Sequence, residues 1–227
     1  MGEIKERLNF IYKNIEEAKA RGENASENVK LIAVSKTKPI EDMLEAYGCG
    51  VRDFGENYVQ EIVTKYDSIS KDARIHMIGH LQTNKVSKII DKVYMIHSVD
   101  SIKLLKEIEK QAVKHDVESM PVLLEVNVAK EESKFGFKTD ELNQAITFAG
   151  QECPHIEVRG LMTSAPITDD QETNRIHFKE LKKMADKYGL PELSMGMTGD
   201  YIVAVEEGST MVRIGTAVFG KRAYAND

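Results

Sequence analysis

Ile4, Leu8, Ile11, Ile15 and Ala18 recur at alternating steps of four and three, with Glu, Lys and Arg on the positions between. That spacing lays one apolar stripe along a helix, so it predicts a helix over 1–21 that ends near Gly22–Asn24. From residue 30 the pattern changes. Short apolar runs that suit buried strands fall at about 31–35, 51–54, 74–78, 93–97, 121–127, 156–162, 192–195 and 211–214. Between them lie longer stretches with helical character, among them "PIEDMLEAYGCG", "NYVQEIVTKYDS", "LQTNKVSKIID", "DSIKLLKEIEKQAVKHD" and "TDDQETNRIHFKELKKMADKYG". Several begin on a capping residue and stop at glycine. Eight strand signals interleaved with helices predict an α/β fold, a single-domain (β/α)8 barrel of the TIM type over 30–222, preceded by the extra N-terminal helix. A doubly wound open sheet is the alternative. It would use fewer strands and a switch in strand order.

Charge and composition narrow the partners. The 227 residues carry a net charge of −6, so no basic excess favours nucleic acid or an anionic membrane. No apolar run is long enough to span a bilayer, and "MGEIKERLNF" has no signal-peptide apolar block. A cytoplasmic protein is expected. Cys49 and Cys153 form no CxxC pair and the six His show no HExxH spacing, so two reduced thiols are expected and no metal site.

In a barrel, chemistry gathers at the C-terminal ends of the strands. The residues just past each predicted strand are Lys36; Glu56 and Asn57; His80 and Gln82; Ser98 and Asp100; Asn127; Met162, Thr163 and Ser164; then "SMGMTGD" and "RIGTAVFG". Thr198 beside glycines, and Gly215 and Thr216 after strand 8, stand where barrels often hold a phosphate. Glycine permits close backbone approach, and helix-start amides donate to anions. Turn glycines and capping threonines are the plainer reading of either loop alone. Lys36 follows "LIAVS", a run that ends on a charge expensive to bury. It is either a solvated strand-end charge or an amine able to join an aldehyde. Pyridoxal phosphate is an aldehyde that carries a phosphate.

Eight segments in order, "AVSKTKP", "FGENYVQE", "IGHLQTNK", "HSVDS", "KFGF", "RGLMTSAP", "LSMGMTGD" and "VRIGTAVFG", give nearly the whole chain a resemblance to the pyridoxal phosphate homeostasis (YggS/PROSC) family, relatives of the alanine racemase N-terminal barrel. The resemblance implies pyridoxal 5'-phosphate as cofactor, held as an internal aldimine on Lys36. It implies phosphate contacts from the Ser194–Thr198 stretch, with Thr198 where relatives commonly have Ser, and from Gly215 and Thr216. It places Arg213 near the pyridine nitrogen, Asn57 near the ring and Met162 as a pocket wall. It gives His80 no role.

It further implies a non-catalytic protein of vitamin B6 homeostasis that supplies the cofactor to apo-enzymes and exchanges with amino acids. An always-cationic Arg213 at the pyridine nitrogen would oppose its protonation and make a shallow electron sink. Ile40 stands where the racemase pattern has tyrosine, the racemase's second domain has no counterpart in the 227 residues, and Tyr224 is a conceivable substitute for its catalytic tyrosine. A monomer is expected for the same reason. The alternatives are an amino-acid racemase of the alanine racemase type, a lysine-dependent aldolase, and a barrel whose rim lysine does nothing.

Overall fold

The computed structural model describes residues 2–131 and 134–221; Arg222, the last residue of the expected barrel range, and Tyr224 lie outside the described residues. Eight parallel strands close in the order β1-β2-β3-β4-β5-β6-β7-β8. They are β1 (Lys30–Val34), β2 (Asp53–Glu56), β3 (Arg74–Met77), β4 (Met95–Val99), β5 (Met120–Glu125), β6 (Ile156–Met162), β7 (Glu192–Met197) and β8 (Met211–Ile214). The α-helices are α1 (Glu3–Arg21), α2 (Ile40–Gly48), α3 (Val59–Lys65), α4 (Ile102–Lys114), α5 (Leu142–Glu152), α6 (Arg175–Tyr188), α7 (Tyr201–Glu206) and α8 (Thr216–Phe219). The open-sheet alternative fails because β1 pairs with both β2 and β8. None of the described helices is long and apolar enough to cross a membrane.

The apolar stripe of α1 is buried as its spacing requires: Ile4, Leu8, Ile11, Ile15 and Ala18 all face inward. Fully burying each such side chain contributes roughly 1.5–3 kcal/mol for the larger ones. Ser101 caps α4 by accepting from the Leu104 N–H, and Gly189 ends α6 at φ 65, a left-handed conformation that glycine adopts without penalty.

Two strands sit later than the sequence pattern suggests. β2 runs Asp53–Glu56, and β4 runs Met95–Val99. Glu56 and Ser98, expected just past their strands, therefore lie inside them and are buried. The polarity of these residues hid the strand continuation. "LQTNKVSKIID" forms no α-helix; Thr83–Lys88 is a single 3-10 segment. A run with Ser, Thr and Asn competing for local backbone bonds has little support for a regular helix.

Side chains alternate between two packing layers. Leu31, Ala33, Phe54, Ile75, Met77, Ile96 and Val212 join the core between sheet and helices. Ile32, Met95, Leu123, Met162 and Met211 form a separate cluster within the barrel. Above and beside this cluster the interior is polar, with His76, His97, Ser194 and Arg213 all buried. A barrel interior filled by side chains is a packed core, and polar groups there need partners.

Candidate functional site

β1 runs straight into a tight turn at Ser35–Lys38. The Lys38 N–H donates to the Ser35 carbonyl at 3.0 Å, and Thr37 takes φ 62, strained for a β-branched residue. Lys36 lies on this turn, half-buried. Several contacts hold the conformation. The Thr37 N–H donates to Glu61 Oε2 at 2.8 Å, and the Ser35 hydroxyl donates to Glu56 Oε1 at 2.7 Å. Lys65 Nζ sits beneath, donating to the Ser35 carbonyl at 2.9 Å, to Glu56 Oε1 at 2.8 Å and to Glu61 Oε2 at 2.6 Å. Burial pushes the Glu56 carboxyl upward, against the pull of Lys65 and Ser35. The ion pair thus props the Lys36 turn from below.

Lys38, two residues on, has its amine tied to backbone carbonyls. Its amine caps the chain end of the barrel, donating to the carbonyls of Phe219 at 3.0 Å and Lys221 at 3.2 Å.

Register brings the other end of the site to Lys36. Ile32 pairs with Arg213 and Ala33 with Ile214, so Gly215 lies beside Val34. A Cβ on Gly215 would meet the Val34 carbonyl oxygen at 3.2 Å and Val34 Cβ at 3.3 Å, so glycine permits the close approach of the two strand ends. Lys36, Gly215 and Thr216 then line one small depression of about 40 Å³, with Val34, Lys38 and Gly220. Thr198 is exposed and faces a roomier groove of about 730 Å³ between α1 and α7, which reaches Ala217 but neither Lys36 nor Arg213.

Arg213 is buried, and both its terminal nitrogens are engaged. Nη1 donates to the Ser194 carbonyl and hydroxyl, each at 2.7 Å; Nη2 donates to the Thr163 carbonyl at 2.9 Å and the Ser164 hydroxyl at 3.4 Å. Burial lowers its pKa to about 10, opposed by the charges of Glu125 and Asp200, which leaves it cationic at neutral pH. The Ser194 hydroxyl, expected at a phosphate, is taken up by Arg213 and by His97 Nδ1 at 2.9 Å.

A second depression of about 290 Å³ opens over the middle of the mouth. Asn57, His80, Glu125, Asn127, Met162 and Ser164 are among its lining residues. Asn57 is brought to the wall because Gly79 packs on it: a Cβ there would meet the Asn57 carbonyl oxygen at 2.6 Å. His80 stacks on Phe135, with ring centroids 3.8 Å apart and planes within 12°, and its Nδ1 lies 3.1 Å from Asp100 Oδ2. Phe135 belongs to a loop folded back on β5. There the Phe137 N–H donates to the Glu125 carbonyl at 2.7 Å, and Lys134 Nζ reaches the Ser164 carbonyl at 3.2 Å. His80 is thus a pillar of the mouth wall. Burial raises Glu125 to about 7, which Arg213 only partly offsets.

Of the expected residues, the structure gathers Lys36, Gly215 and Thr216 in one depression and Asn57 and Met162 in the other, with Arg213 buried within the barrel. Glu125, Lys65, Asp53, His76 and His97 escaped the sequence reading. Only the two histidines left a signal, as polar breaks in the strand runs "RIHMI" and "YMIHSV", and it does not show what they bond to.

The sequence profile described as "Alanine racemase, N-terminal domain" matches residues 7–223. The Aquifex aeolicus pyridoxal phosphate homeostasis protein is 42% identical over 226 residues, covering 96% of this chain and 98% of that one. The chain belongs to the pyridoxal phosphate homeostasis protein family. Among solved relatives of this family, PipY of Synechococcus elongatus with PLP bound aligns with a TM-score of 0.83 at 32% identity, over 96% of this chain and 100% of that one. An alanine racemase of Clostridium difficile shares the barrel alone, with a TM-score of 0.73 at 18% identity; the match spans 98% of the homeostasis-family chain and 58% of the racemase.

Proposed function

We propose that this chain holds pyridoxal 5'-phosphate covalently through the Lys36 amine and releases it to apo-enzymes, acting as a carrier and buffer rather than a catalyst. The observation that carries the reading is the shared depression: the Lys36 turn lies against Gly215 and Thr216 at the ends of β1 and β8. An amine beside a glycine-lined anion cradle suits a phosphorylated aldehyde, and the family's PLP-bound member supports that ligand. The cofactor supplies an electrophilic carbonyl and, with a joined amine, an electron sink. Lys36 would hold the cofactor by its neutral amine, whose nitrogen would replace the aldehyde oxygen and whose two hydrogens would leave with that oxygen as water.

The other residues divide the remaining tasks. Gly215 and Thr216 receive the phosphate, while Thr198 stands over the neighbouring groove on the α7 side. Asn57 and Met162 flank the ring. Ser194 serves the site through Arg213, whose cation opposes protonation of the ring nitrogen and so keeps the electron sink shallow. That feature favours storage over turnover. The racemase reading draws on one different observation: Glu125, titrating near 7 in the mouth depression, is a group suited to move a proton. Sustained exchange of amino-acid α-hydrogens in deuterated water, abolished in Glu125→Gln, would favour the racemase. Stoichiometric uptake of the cofactor with no sustained exchange, and its transfer to a pyridoxal-dependent apo-enzyme, supports the carrier.

A further inference from the structure

The barrel interior contains a run of hydrogen bonds that the cofactor chemistry does not require. It begins at Arg213 and ends at Asp53 on the first residue of β2, near the opposite face of the barrel. Arg213 Nη1 donates to Ser194 Oγ at 2.7 Å; Ser194 Oγ lies 2.9 Å from His97 Nδ1; His97 Nε2 lies 2.9 Å from His76 Nδ1; His76 Nε2 lies 2.9 Å from Asp53 Oδ1. Both rings are fully buried. Arg74, at the outer end, clamps Asp53 with two hydrogen bonds of 2.7 and 2.6 Å.

With both rings neutral, the Asp53 carboxylate fixes the direction of every bond in the run, and the Arg213 end is compatible with it. A guanidinium only donates and a carboxylate only accepts. Ser194 Oγ therefore accepts from Arg213 and has its own proton to give to His97 Nδ1. His97 then carries its proton on Nε2 and gives it to His76 Nδ1. His76 carries its proton on Nε2 and gives it to Asp53. Reversing the neutral rings would set the bare His76 Nε2 against the carboxylate, two acceptors 2.9 Å apart. Burial lowers the pKa of both rings, which favours this neutral arrangement over an imidazolium.

We propose that Asp53, His76 and His97 are positioning residues for the cofactor site: a one-way hydrogen-bond relay that anchors Ser194, and through it the Arg213 guanidinium, from the far side of the barrel. Chains of oriented hydrogen bonds polarise one another, so a change at Asp53 is felt at Arg213. The inference deepens the pyridoxal phosphate reading and rests on it for the cofactor's part only; the relay itself belongs to the protein without ligand.

The test uses the full chain labelled with 15N-histidine. Long-range proton–nitrogen correlation at neutral pH is expected to show His76 and His97 each with a protonated Nε2 and a bare Nδ1. A doubly protonated His76, or mixed tautomers in both rings, would overturn the relay even if the cofactor binds normally. The second arm reads the cofactor. His76→Leu is expected to weaken pyridoxal phosphate binding about tenfold, the order of one charge-assisted hydrogen bond, and to shift the visible absorption maximum. His76→Gln, which keeps one donor and one acceptor, is expected to restore most of both. Equal binding and spectra in wild type and His76→Leu would overturn the positioning role. If the wild-type chain takes up no cofactor, the function proposed above fails, while the histidine tautomers still decide the relay.

Discussion

Lys36 and Arg213 are two basic groups at one barrel mouth, and the fold handles them in opposite ways. Lys36 stands on a strained turn beyond the end of its strand, half-buried, with its support underneath in the Lys65–Glu56–Glu61 cluster. Arg213 lies within a strand, buried, with both terminal nitrogens committed to Ser194, Thr163 and Ser164. The difference follows from what each group is proposed to do. An amine that makes and breaks a bond needs access. A charge that sets the electronic character of a ring works by staying fixed. The protein therefore places buried ion pairs below the Lys36 turn and oriented neutral hydrogen bonds behind Arg213.

Four changes sharpen that contrast. The largest effect is expected for Lys65→Met, which strands the buried Glu56 carboxylate. Urea unfolding should show a loss of about 3–5 kcal/mol, the usual cost of breaking a buried pair from one side. The double variant Glu56→Gln, Lys65→Met should recover much of it; equal losses would mean that the pair is not the prop.

Next comes Glu125→Gln. The carboxyl's folded pKa, about 7, lies above its ordinary 4.5, so its favourable contribution is present below 4.5 and lost as pH rises through 7. The variant should match wild type near pH 4 and exceed it near pH 8 by at most about 3 kcal/mol, one pKa unit being worth about 1.4. Melting at the two pH values decides it.

Asp53→Asn works in the opposite direction. Burial alone would raise this carboxyl, but the hydrogen bonds from His76 and Arg74 outweigh it and hold it at about 2. Its contribution is present above 3.8 and lost as pH falls through 2, so the variant should lose about 2 kcal/mol at pH 7 and show a flatter acid limb. An acid limb identical to wild type would contradict the pairing.

The smallest change in stability is expected for Gly215→Ala. Its Cβ would press on the Val34 carbonyl at 3.2 Å, which costs about 1 kcal/mol of stability by calorimetry while crowding the cradle beside Lys36. Cofactor affinity should fall more than stability; the reverse would place the phosphate elsewhere.

Much of this was legible in the amino-acid sequence because it depends on local pattern. The α1 stripe, the strand runs and the glycine after β8 each carry their signal within a few residues. The motif segments singled out Lys36, Gly215 and Thr216 at strand ends, where the fold brings them into one depression. The relay was not legible, because it depends on register between distant strands. His76 pairs with Gly55 on one side and Met95 on the other, which turns it inward toward His97, and nothing in "RIHMI" announces that. Ser194 illustrates the same limit. Its position in "LSMGMTGD" suggested a phosphate hydroxyl, whereas the alternation along β7 turns it into the interior toward Arg213. Lys65 too is brought under the Lys36 turn only by the fold.

The decisive measurement is reduction of the cofactor-loaded protein with borohydride, followed by peptide mass mapping, with the visible spectrum recorded before and after. A yellow protein bleached by the reductant is expected, with one pyridoxyl phosphate group on the peptide that contains Lys36, and no such adduct at residue 36 in Lys36→Ala. A chromophore carried in full by another lysine in the wild-type chain, or no chromophore after incubation with excess cofactor, would contradict it.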